Sequence, residues 1–114
     1  DLSDHDAYGE TAAILERHIV DGRPQFDILV CGNDRIAFCA YQWLLGRGLK
    51  IPDDVAVLGY DNMIGIAELF MPPLTTVQLP YYEIGRQAAR HLIDSLEVAG
   101  TQPVDCPLVL RASL

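Results

Sequence analysis

The chain has 114 residues, enough for one domain with one core, and half of them are hydrophobic, which excludes a disordered or low-complexity polypeptide. Sixteen acidic against eight basic residues give a formal net charge of −8, a sign that repels phosphate backbones and anionic lipid heads, so the chain by itself is expected to bind neither DNA nor a membrane. Three cysteines, Cys31, Cys39 and Cys106, are an odd number without pairing or metal-like spacing and fit a reducing, cytoplasmic setting; no apolar run approaches the ~20 residues that cross a bilayer, and the opening Asp1 points to a piece of a longer protein.

In chain order, Ser3 with Asp4 and Asp6 predicts a helix start, after which Tyr8, Ala12, Leu15 and Ile19 share one face and Asp21-Gly22-Arg23-Pro24 ends the helix. Glu16 and Arg17 fall on its solvated side. Residues 26–31 (FDILVC) predict a strand that stops at Gly32-Asn33-Asp34. Asn33 or Asp34 can accept from the free N–H groups of a first helical turn, and residues 35–47 contain no glycine or proline before Gly46. Residues 55–60 (VAVLGY) form a second apolar run, closed by Asp61-Asn62.

Both runs are apolar on successive residues, the pattern of parallel strands covered on both faces, and the unit has the length of a right-handed βαβ crossover, about 30 residues. Its geometry delivers Asn33 and Asp61 just past the carboxyl ends of neighbouring strands and into one crevice. The crossover helix is apolar nearly all round: Ile36, Ala40 and Leu44 make one stripe, Phe38, Tyr41 and Leu45 another, with Trp43 between them. Such a helix covers a sheet with one face and a partner with the other; the alternative is a core helix capped by neighbouring loops.

Residues 63–71 predict a short amphipathic helix that Pro72-Pro73 must end, and residues 74–79 a third strand. Pro80 suits the first turn of a helix with Ile84, Ala88, Leu92 and Leu96 as its apolar stripe and Gly100 as its end; Leu108, Val109 and Leu110 form a last strand. An α/β fold with a mostly parallel sheet flanked by helices follows.

A carboxylate at a strand end suits bidentate acceptance from vicinal hydroxyls or a ring N–H, and an amide both donates and accepts, so Asp61 with Asn33 suits a neutral polyol or heterocycle. The blander alternative has Asp61 and Asn62 capping the helix that follows. His5, His18 and His91 lie in separate segments and no histidine–cysteine spacing resembles a metal site, so they read as surface or boundary residues. The chain has no nucleophile elbow, phosphate loop or dinucleotide fingerprint, so neither catalysis nor a cofactor is expected.

Residues 26–34 (FDILVCGND), 48–62 (GLKIPDDVAVLGYDN) and 72–77 (PPLTTV), followed by Gly85 within a helix, resemble the regulatory domain of the LacI/GalR transcriptional repressors over nearly all the chain. The resemblance implies the C-terminal lobe of a two-lobed, periplasmic-binding-protein-like fold, with residues 79–100 belonging to the other lobe and the DNA-binding headpiece outside this chain. It implies a small effector, a sugar or related polar metabolite, bound between the lobes, with Asn33, Asp34 and Asp61 at effector-contacting positions. It also implies a homodimer whose surface includes Phe38, Tyr41, Leu69 and Phe70, with DNA bound only through the headpiece. The chain departs from the pattern in two places: the link from Asp61 to Pro72 is one residue longer, and Leu79 stands where a glutamine is frequent. Without the other lobe, the helix led by Pro80 is expected to fold onto its own sheet, exchange into a neighbouring copy or pack poorly; projection alone into solvent counts against all three.

Two other readings follow from the same features. A transport-associated sugar-binding protein of similar fold differs by an export signal in place of a headpiece. An enzyme or phospho-acceptor on a flavodoxin-like sheet needs an acidic cluster at the first strand and a lysine after a later strand, and no lysine follows Lys50.

Overall fold

The computed structural model describes residues 6–94 and 100–114. The expected start of the first helix at residues 2–5, His5, and Leu96 in the last helical stripe lie outside them. Helix α1 (Ala7–Glu16) begins at Asp6, whose Oδ1 accepts from the Gly9 N–H at 2.8 Å. It is shorter than its periodicity predicts, because Ile19 belongs to a hairpin of β1 (Ile19–Val20) and β2 (Arg23–Pro24). The turn between them is Asp21-Gly22, with φ 52° and 75°. Two positive values in succession are what a two-residue hairpin turn requires and what Asp-Gly readily supplies.

The main sheet has the order β3 (Ile28–Val30), β4 (Ala56–Asp61), β5 (Thr75–Gln78) and β6 (Leu108–Val109). The first three strands run parallel and β6 runs antiparallel to β5. Helix α2 (Asp34–Gly46) makes the crossover from β3 to β4, and α1 packs beside α2. Between α2 and the sheet lies the core, built from Leu15, Ala37, Ala40, Tyr41, Trp43, Leu44, Val55, Val57, Phe70 and Leu74. Arg47 closes the end of α2 by stacking on the Trp43 ring, 4.2 Å from its centroid, and pairing with Glu16 of α1.

Coverage on both faces of the strands is not what the fold shows: Ile28, Val30 and Tyr60 stand exposed on the face away from the core. Successive apolar residues prepare β3 and β4 for two coverings, and the described residues supply one. The predicted helix at 63–71 is a single 3-10 turn, Ala67–Leu69, because the chain reverses sharply after β4 and Pro72 and Pro73 leave no room for another turn.

The chain end locks the sheet from below. Ser113 is fully buried between the starts of β4 and β5: its carbonyl accepts from the Val57 N–H at 2.8 Å, its Oγ accepts from the Thr75 N–H at 2.8 Å and donates to the Val57 carbonyl at 2.6 Å. Helix α3 (Tyr81–Ile93) has no buried residue, and its Ile84, Ala88 and His91 share a shallow pocket with Gln102 and Val104 of the returning segment. It does not fold back onto the sheet. The extents of 60 × 34 × 25 Å and a radius of gyration of 17.6 Å record this, against about 13 Å for a compact domain of this length.

Candidate functional site

Register brings the predicted rim together. Val30 pairs with Leu58 and the Cys31 N–H donates to the Leu58 carbonyl at 2.8 Å, so three residues on, Asn33 and Asp61 leave neighbouring strands side by side. Asn33 is extended and caps α2, its Oδ1 accepting from the Ile36 N–H at 2.9 Å. That occupies one end of the amide. Its Nδ2 has no partner among the described residues.

Asp34 is 1% exposed and works as a clasp. Its Oδ2 accepts from the Met63 N–H at 2.7 Å and its Oδ1 from the Thr76 hydroxyl at 2.7 Å, tying the start of α2 to the loop after β4 and to β5. A ligand would meet this carboxylate only by displacing those donors, so its position within the chain is that of a support for the rim. The same burial and the Asp34 charge push the Cys31 thiol up to about 12, burial being the larger cause.

Asp61 adopts φ 102° and Asn62 φ 51°, successive left-handed conformations at the end of a parallel strand. Each is costly outside glycine, and such strain collects at binding sites. The turn this creates aims the Asp61 carboxyl inward: Oδ1 is sealed from solvent and has no hydrogen-bond partner. Burial raises its pKa above the ordinary carboxylate value, and the charge of the Asp34 carboxylate beside it raises it further. A buried acceptor next to another acid calls for a donor that the described chain does not provide. Helix capping does not explain it, since the next helical turn begins only at Ala67 and has Ile66 at its cap.

Asn62 is the second, unforeseen part of the site. Its N–H donates to Thr76 Oγ1 at 3.2 Å, its Oδ1 accepts from Arg111 Nη2 at 3.0 Å, and its Nδ2 donates to Gln78 Oε1. Thr76, Gln78 and Arg111 lie 14, 16 and 49 residues from Asn62, so no local spacing could reveal them.

The predicted contact face divides in two. Tyr41 and Phe70 are 2% and 7% exposed and pack edge-to-face on each other, with ring centroids 4.9 Å apart. The Tyr41 hydroxyl donates to the Pro72 carbonyl at 2.9 Å, and burial raises its pKa to about 12. Both belong to the interior and hold Phe38 from beneath, Phe70 meeting it edge-to-face at 5.7 Å. Phe38 and Leu69 are 51% and 73% exposed. Phe38 also lines a groove of about 370 Å³ with Arg35, Cys39, Met63 and Ile66. His18 is exposed, His91 is half-buried, and no group of three potential metal ligands occurs among the described residues. No described helix is long and apolar enough to cross a membrane.

The periplasmic binding protein-like domain family matches residues 2–114. The sucrose operon repressor of Escherichia coli is 52% identical over 108 residues, 95% of this chain and 33% of that protein. The transcriptional repressor CytR of Escherichia coli is 38% identical over 87 residues, 73% of this chain and 25% of its own length. Among solved structures, a LacI family regulator from Arthrobacter in complex with lactose superimposes with a TM-score of 0.74 and 33% identity, over 94% of this chain and 40% of that one. The Lac repressor bound to ONPG gives 0.79 and 26%, over 95% and 32%. The chain thus spans about a third of the curated relatives it matches. Strand order, the rim at the carboxyl ends of β3 and β4, and these likenesses agree: the chain belongs to the periplasmic binding protein-like domain family, with LacI-family repressors as its relatives.

Proposed function

We propose that this chain is the effector-sensing and dimer-forming lobe of a LacI-type transcription regulator. A small polar effector, a sugar, sits on the rim formed by Asn33 and Asp61 and is closed over by a second lobe, to which α3 belongs; DNA is held by a headpiece outside this chain. Phe38 and Leu69 contribute to contact with a second copy. The observation that carries this reading is the part-exposed Asp61 carboxyl, held beside Asn33 on strained backbone at a strand end with one oxygen unpartnered. Vicinal hydroxyls supply the donors it lacks, and the free Asn33 Nδ2 offers a donor for a ring or hydroxyl oxygen. The names of the relatives favour sucrose, its component hexoses and lactose as the first sugars to try.

The test is calorimetric titration of the full-length regulator with those sugars, alongside Asp61→Ala. Loss of charge-assisted hydrogen bonds is expected to weaken the binding sugar by ~1.5–3 kcal/mol, about 10- to 150-fold. Equal affinity in both proteins overturns the site. A transport role is disfavoured by the relatives, which are named as repressors.

A further inference from the structure

Three side chains form one directed line of hydrogen bonds between the rim and the place where the chain leaves the sheet. Arg111 starts it. Its Nη1 donates to the Leu74 carbonyl at 2.8 Å, and its own N–H and carbonyl both engage the Thr75 hydroxyl, at 2.8 and 3.0 Å, so the guanidinium is fixed to the start of β5. A guanidinium only donates. Asn62 must therefore turn Oδ1 toward Arg111, which leaves Nδ2 to face Gln78; Gln78 must accept with Oε1, which leaves Nε2 to donate to the Leu79 carbonyl at 2.9 Å. Each amide has its orientation dictated by the one before it.

Both ends of this line matter to the site. Asn62 follows the strained Asp61, and its N–H rests on the Thr76 hydroxyl, whose one proton goes to Asp34. Leu79 is the last residue before Pro80 and α3. The direct backbone link between the two places, from the Leu79 N–H to the Asp61 carbonyl, is long at 3.5 Å, so the side chains make the firmer connection.

We propose that Arg111 is the positioning residue of this site: through Asn62 and Gln78 it holds the Asp61 reversal in register with the lobe crossing at Leu79, so that a ligand taken up at Asp61 is felt at the crossing. Transmission to a second lobe rests on the function proposed above; the register itself does not.

Hydrogen exchange on the full-length protein without effector separates the two. Arg111→Met is expected to speed exchange about tenfold at two separate segments, residues 61–63 and 79–84, while amides inside α2 are unchanged. Arg111→Lys, which keeps one donor for Asn62, is expected to recover most of the protection. Gln78→Leu, which cuts the line beyond Asn62, is expected to loosen residues 79–84 alone. Exchange at 79–84 that ignores Arg111→Met, or that rises in parallel with every core amide, overturns the proposal. Absence of any sugar binding in the titrations above removes the effector reading, and the exchange pattern then decides the relay by itself.

Discussion

Gly59 on β4 and Asp34 at the head of α2 stand so close that a Cβ on Gly59 would lie 2.2 Å from Asp34 Oδ1. The strand passes under the clasp with no side chain between them, which is how one carboxylate reaches the Met63 N–H and the Thr76 hydroxyl together. The absence of a side chain at position 59 is therefore part of the rim.

Gly59→Ala forces that added carbon against Asp34 and also against Leu74, whose Cδ2 lies 2.8 Å away. Overpacking of this kind costs ~1–3 kcal/mol, with the upper end expected because one neighbour is a fixed carboxylate. Urea unfolding of the full-length protein measures it, and a midpoint equal to wild type would contradict the close approach.

Asp61→Asn is expected to stabilise the protein while impairing its ligand site. The raised pKa means that the native state holds its proton more tightly than the unfolded chain, so the Asp61 contribution is fully present below the ordinary carboxylate value of 3.8 and is lost as pH rises through the raised native value. Asparagine removes the second charge beside Asp34 and tolerates positive φ well. Thermal melts should place the variant above wild type at pH 7, with the gap closing toward pH 3.8; an unchanged gap across that range argues against the acid pair.

The cysteines should divide by environment. With its pKa near 12 and its side chain 4% exposed, Cys31 holds almost no thiolate at pH 8, whereas Cys106 is exposed. An aromatic disulfide reagent should titrate Cys106 rapidly in the native protein and Cys31 only on unfolding. Fast native labelling of Cys31, seen by mass spectrometry, would reverse its assignment to the core.

The apolar face predicts a separation of stability from association. Tyr41→Phe deletes the bond to Pro72 and keeps the ring packing on Phe70, costing about 1 kcal/mol of stability and leaving the proposed contact between copies unchanged. Phe38→Asp with Leu69→Asp places charge on two side chains already exposed, and sedimentation should show monomer with little change in folding.

What could be read from the residues follows the range of the forces involved. The βαβ unit was legible because its strands, cap and stop signals are local, and the placement of Asn33 beside Asp61 follows from parallel pairing alone. Asp21-Gly22 carried its hairpin signal too, but helical spacing at Leu15 and Ile19 outweighed it. The inward set of Tyr41 and Phe70 was not legible, since an all-round apolar helix does not say which aromatic turns in. Nor was the Asn62, Gln78 and Arg111 line, because it depends on β6 returning antiparallel beside β5 and carrying Arg111 to the start of that strand.

Among the described residues, strand β3 pairs with β4 along one edge only, and its Ile28 and Val30 remain uncovered. An open backbone ladder beside bare aliphatic side chains is a template for whatever extended polypeptide arrives first. Produced by itself, this chain is expected to invite its own copies to stack there, which would show as self-association that rises with concentration.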